Sequence, residues 1–199
     1  MRSGVYKMLK YYEMSKDNIE IRYAGVWYRF LARIIDNFFI SIVGAPLLVF
    51  NVVLNFQNQW DSIISGANIE AIHHTTGQSL AIGFSTLFYI LITVTYYVFF
   101  NASKYQATPG KMILGIKIIT PDGGRLSLAQ SFIRYLATDG IGLPGNLLSN
   151  STNQTVNYIS IPFLVLQGFW TIVDASIGGA DTKKRMLHDR IAKTFVVYR

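Results

Sequence analysis

Cysteine is absent from the 199 residues, which excludes disulfides, thiolate metal sites, iron–sulfur ligation and cysteine nucleophiles. Charge is scarce as well: Asp, Glu, Lys and Arg make up 15% of the chain against 51% hydrophobic residues, and the latter gather in long blocks. That balance is too apolar for an ordinary soluble domain and points to the bilayer. The first 26 residues hold no short apolar run followed by a small-residue cleavage site, so no cleavable signal peptide is read there. No Gly-rich phosphate loop ends in Lys-Ser/Thr, and Thr108 to Lys111 is not one. His73 and His74 have no further ligand at metal spacing, and neighbours in sequence seldom converge on one ion, so they read as solvated loop residues. The expectation is a protein that is not an enzyme and needs no cofactor or resident metal.

What is present is a set of four apolar segments, at about 30–56, 79–100, 128–148 and 158–177. The chain therefore reads as an all-α integral membrane protein, preceded by a basic arm over residues 1–26. That arm is either disordered or an amphipathic helix on an anionic leaflet; its apolar positions keep no clean helical period, which favours the arm. The first segment opens with Trp27 to Asp36 and carries Arg29, Arg33 and Asp36 on one helical stripe. Charge at that depth is costly, so the arginines either snorkel to the headgroups or pair with Asp36. The second segment is free of charge and ends in Tyr96, Tyr97, Phe99 and Phe100, an interfacial type of cluster.

The third segment starts at a capping box, Ser127 with Gln130. It contains Arg134, Asp139 and the breaker-rich run Gly140 to Gly145, so it reads as broken or amphipathic. The fourth holds Pro162 and Gln167 and ends at Asp174. Between the second and third, Lys111 to Thr120 is rich in β-branched residues and is followed by the turn signal Pro121-Asp122-Gly123-Gly124, which predicts a cytoplasmic hairpin over 111–126. The tail, 178–199, closes with Thr194 to Tyr198, a strand-like run predicted to add to that hairpin through Leu187-His188-Asp189-Arg190.

Charge placement gives the sidedness. Six of the 18 Lys and Arg precede Phe30, four lie between the second and third segments and six in the tail; residues 57–79 and 149–157 hold none. The positive-inside rule then puts both termini and the middle connection in the cytoplasm, which requires an even number of crossings. A multi-pass protein of the cell membrane is expected, and its net charge of +7 is matched to an anionic inner leaflet, not to nucleic acid.

Ordered along the chain are Ala24 to Ala32 with Asp36, then Thr108-Pro109-Gly110-Lys111-Met112 with Gly115, then Leu126-Ser127 with Arg134-Tyr135, and finally Leu187 to Arg190 with Thr194. With these motifs the chain resembles the RDD family of membrane proteins from residue 24 onward. That resemblance implies an arginine and two aspartates of note: Arg29 and Asp36 match the first two, and the second aspartate is Asp174 or Asp189. Asp139 matches no family motif. The resemblance also implies a transporter-like role, monovalent cation/proton exchange through intramembrane carboxylates, or alternatively a non-catalytic accessory or regulatory subunit of a larger membrane complex. The candidate polar cluster is Arg29, Arg33, Asp36, Asp174, His188 and Asp189, with Lys111, Arg134 and Asp139 as secondary candidates. Four segments enclose little on their own, so a homo-oligomer or a partner membrane protein is expected.

Overall fold

The computed structural model describes residues 21–64, 76–149 and 154–199. Three helices dominate: α1 (Val26–Ile64), α2 (Thr76–Ala102) and, after the third segment, α6 (Gln154–Ala180). Each contains a stretch long and apolar enough to cross a membrane, at Val26–Leu47, Leu80–Ala102 and Tyr158–Ala180. Their large apolar side chains point outward, among them Phe38, Phe84, Phe88, Val165 and Phe169, as a lipid-facing surface requires and a soluble one would not tolerate. α1 runs unbroken through Pro46 and reaches Ile64, beyond the end of the apolar run at Phe56. The histidines at 73 and 74, and the basic arm up to residue 20, lie outside the described residues.

The third segment is broken, as its composition predicts. α4 (Leu128–Asp139) gives way to a 3-10 turn at Gly140–Gly142 and a short helix, α5 (Leu143–Leu148), with Pro144 in its first turn. The predicted capping box is present: Ser127 Oγ accepts from Gln130 N at 3.1 Å, and Gln130 Oε1 from Ser127 N at 3.0 Å. α4 is amphipathic, burying Ser131, Arg134 and Tyr135 while exposing Leu128, Phe132, Ile133 and Leu136. The break is tolerated because α6 supplies partners for the backbone groups it frees. Gln167 Oε1 accepts from Gly142 N at 2.9 Å, its Nε2 donates to Thr138 O at 2.8 Å, and Trp170 Nε1 donates to Ala137 O at 2.7 Å. Gly145 allows a close approach, since a Cβ there would stand 3.0 Å from Phe163 Cβ. Contacts at 137–170, 142–167 and 145–163 make α4–α5 antiparallel to α6 along its length.

One expectation is overturned. Residues 111–126 do not form a hairpin: Pro109–Ile113 is a helical turn, α3, and Ile116–Ile119 is strand β1. Its partner is the tail strand β2 (Phe195–Tyr198), antiparallel, with Ile116 opposite Tyr198 and Ile119 opposite Phe195. The turn at Pro121 to Gly124 exists, with Gly123 at φ +78°, but the chain after it is taken by other bonds. Leu126 packs into the core with Ala24, Ala32, Ile116, Ile118 and Val196, and Ser127 is committed to capping α4. The tail therefore docks as predicted, onto β1 itself. Tyr23 bridges to Val197 on the other side of β2. This small sheet ties together the chain just before α1, just after α2 and just after α6, so all three of those helix ends share one end of the bundle.

Candidate functional site

At the sheet end, α7 (Leu187–Ile191) inserts Asp189 between α1 and α4. Asp189 is fully buried, and its carboxylate is shared by two guanidinium groups: Arg29 Nη1 on Oδ2 and Arg134 Nη1 on Oδ1. Met186 N donates to Oδ2 at 3.0 Å. Arg134 also donates to Thr194 Oγ1 at 2.5 Å, and Arg29 Nε to Ala24 O at 3.1 Å. Burial alone would raise the Asp189 pKa, but Arg134, His188 and Arg29 around it hold it well below the usual carboxylate range.

Next to it, His188 Nδ1 lies 2.6 Å from Asp174 Oδ2, and Asp174 Oδ1 accepts from His188 N at 3.1 Å. A ring nitrogen that close to a carboxylate carries the proton. The Nε2 lies between Arg134 Nη2, at 3.0 Å, and Asp189 Oδ1, at 3.2 Å. Asp174, toward the sheet end of α6, thus orients His188, which in turn backs Arg134.

Asp36, 1% exposed, departs from expectation. Among the described residues no arginine pairs with it. Its oxygens accept from Tyr96 Oη at 2.8 Å, Thr108 Oγ1 at 2.5 Å and Gly110 N at 2.7 Å. The reason is geometric: α3 packs so tightly on α1 that a Cβ at Gly110 would stand 2.2 Å from Ala32 O. Only glycine admits the backbone donor there, and its neighbours occupy the carboxylate before any guanidinium can reach it. Arg33 instead pairs with Asp139 and lies over the Tyr97 ring, 5.7 Å from its centroid. Asp139, which no motif marked, is the counter-ion of this half-exposed arginine.

Lys111, the residue after Gly110, donates to Asn101 Oδ1 at 3.0 Å. Burial, followed by repulsion from Arg134, lowers its pKa to about 7, outweighing the attraction of Asp36 and Asp189.

These groups surround one cavity of about 150 Å³. Every candidate residue except Asp189 lines it, and Asp189 sits directly behind Arg29 and Arg134. Primary and secondary candidates from the sequence are therefore one constellation. Two of its members escaped sequence reasoning. Tyr96 reads as an interfacial aromatic and Asn101 as an ordinary helix end, and nothing in either position signals the bond it makes. Thr194 and Thr108 belong to the recognised motifs, but their bonds to Arg134 and Asp36 depend on the fold. Among the described residues, no three His, Asp or Glu side chains converge as a metal site.

The architecture and this interior acid–base network define a small helical membrane protein with a polar cavity at one end. The chain matches the RDD family over residues 23–193 and belongs to that family. It is 30% identical over 183 residues to the uncharacterized protein YxaI of Bacillus subtilis (strain 168), a match covering 88% of this chain and 97% of that protein. No solved structure matches it.

Proposed function

We propose that this protein exchanges a monovalent cation for a proton across the cell membrane, with Asp36 carrying the cation and Lys111 carrying the proton. The observation that supports this most is the surroundings of Asp36: a buried carboxylate at a cavity wall that, among the described residues, is paired with no arginine. Its shell consists of hydroxyl oxygens from Tyr96 and Thr108 and one amide. Carboxylate and hydroxyl oxygens are hard donors that suit an alkali cation once each O–H rotates away. Lys111 stands one residue from the Gly110 amide on Asp36 and changes charge near pH 7. A protonated Lys111 repels a cation from the cavity, and a neutral one admits it, so one proton alternates with one cation at constant cavity charge.

The role makes and breaks no covalent bond. In this reading the sheet end and both termini face the cytoplasm, because the basic residues cluster there. The antiparallel α4–α5 pair then serves as the fourth, broken crossing, its freed backbone groups held by Gln167 and Trp170. The salt-bridged group around Asp189 is the rigid wall against which this exchange happens.

Proteoliposomes containing the protein alone should collapse an imposed pH gradient when sodium or potassium is added. Asp36→Asn should abolish this by removing the cation's carboxylate, and Lys111→Met should abolish it by removing the proton carrier. A silent preparation in which a second protein co-purifies at fixed stoichiometry would overturn this reading in favour of an accessory subunit.

A further inference from the structure

The cavity wall carries more cationic donors than its own carboxylates take up. Arg29 gives Nε to Ala24 O and Nη1 to Asp189, while its Nη2 has no partner among the described residues, although the residue is buried. A buried guanidinium nitrogen is costly to leave unpaired, so it marks a place for an acceptor. The three carboxylates on the wall are already bonded elsewhere: Asp139 to Arg33, Asp174 to His188, and Asp36 to Tyr96, Thr108 and Gly110. Lys111, also on the wall, donates to a neutral acceptor, Asn101 Oδ1. The space of about 150 Å³ is roughly ten times what one water needs, so an occupant of several heavy atoms fits.

The mouth of the cavity narrows the choice of occupant. Among the lining residues Phe30 is 53% exposed, Arg33 keeps 40% of its side chain exposed and Thr171 is exposed, whereas Arg29, Asp174 and His188 are buried. The cavity therefore opens on the flank between α1 and α6, on the outer surface of two membrane spans. Phe30 and Arg33 stand roughly 6 and 10 Å along α1 from Val26 at ~1.5 Å per residue. Trp27 and Tyr28, exposed at the start of the helix, are residue types of the membrane interface. A headgroup layer is roughly 5–8 Å thick. The mouth thus meets the leaflet at the level where headgroups give way to acyl chains.

We propose that this cavity is a phosphate-binding site, entered from the side by the headgroup phosphate of a membrane lipid, with Arg29 and Lys111 as inner donors and Arg33 at the mouth. Guanidinium donors match phosphate oxygens in geometry, and the lysine adds a compact charge beside them. Phe30 and Val26 offer apolar surface to the acyl chains at the same opening. A soluble phosphate would meet the same donors but would have to arrive through a mouth that faces lipid. The site is read by binding alone and requires no part of the exchange reading.

The test titrates the full-length protein, stripped of lipid in detergent, with dioctanoyl-phosphatidylglycerol, dioctanoylglycerol and inorganic phosphate while following its melting temperature. Phosphatidylglycerol should raise that temperature saturably, and dioctanoylglycerol, which lacks the phosphate, should not. Arg33→Gln should raise the half-saturating concentration about tenfold, the loss of one charge-assisted hydrogen bond. Arg33→Lys should recover part of this. Lys104→Gln and Arg125→Gln remove exposed cations outside the cavity and should leave the half-saturating concentration unchanged. A saturable shift with inorganic phosphate alone, equally sensitive to Arg33→Gln, would overturn the lipid as the source and keep the phosphate site. Equal shifts with dioctanoylglycerol, no shift with either phosphate compound, or equal weakening by Lys104→Gln would overturn the site itself.

Discussion

Asp189 and Asp36 are both buried carboxylates, yet one is held by two guanidinium groups and the other by neutral donors. Removing the first leaves Arg29 and Arg134 buried without a counter-charge, a loss of about 3–5 kcal/mol. Asp189→Asn should therefore nearly eliminate folded protein. Asp36→Asn keeps an acceptor but turns an NH2 toward donors, about 1–3 kcal/mol. It should lower the melting temperature in detergent and still fold, which is what makes it usable as a transport variant. The two groups outside the spans also set the pH response. The Asp189 pKa is depressed in the folded protein, so its contribution is complete above its ordinary value of about 4 and is lost as pH falls below that. Lys111 behaves oppositely: its pKa drops from 10.5 to about 7, so the unfolded chain holds the extra proton between those values and stability rises with pH across that window. Thermal melts of Lys111→Met should lose the alkaline rise and keep the acid loss; an unchanged alkaline limb would refute this assignment.

The elements that matter most are those a hydropathy plot ranks lowest. The α4–α5 break lies against α6 because Gln167 accepts from Gly142 N and donates to Thr138 O while Trp170 donates to Ala137 O. Gln167→Ala strands Gly142 N and Thr138 O together, at about 1–3 kcal/mol for each group left unpaired. The expected result is a lower melting temperature and faster proteolysis within residues 137–149. The tail strand is the second such element. Truncation after Arg190 removes β2, with the buried Val196 and Val197, and Thr194, which binds Arg134. A single β1 strand has no partner left and cannot persist alone. The truncated protein should melt lower than the full chain, and an unchanged melting temperature would show that the sheet contributes nothing.

For the molecule as a whole, the sheet joins the ends of α1, α2 and α6, so the proposed sidedness stands or falls at any one of them. Thr182→Cys should be protected from an impermeant thiol reagent in intact cells and Ser65→Cys should react; the reverse would invert the orientation. What the sequence determined by itself were the features set by local chemistry: apolar spans from composition, the Ser127–Gln130 cap from its spacing, the break from Gly140 to Gly145, and a strand in the tail from β-branched residues. It also determined which ionisable groups would share the polar end, since charge cannot stay in lipid and must gather where partners exist. The pairings themselves were decided only by the tertiary structure. Arg29 meets Asp189 across 160 positions, and Asp36, with Arg33 on its own helix, is taken by Thr108 and Gly110 across 72 and 74. The same holds for the missing hairpin: a turn signal specifies a bend, but a strand pairs with whichever neighbour packing supplies, and here that was the tail. Helical period and turn chemistry act over a few residues, whereas a buried charge answers to what lies within a few ångströms in space.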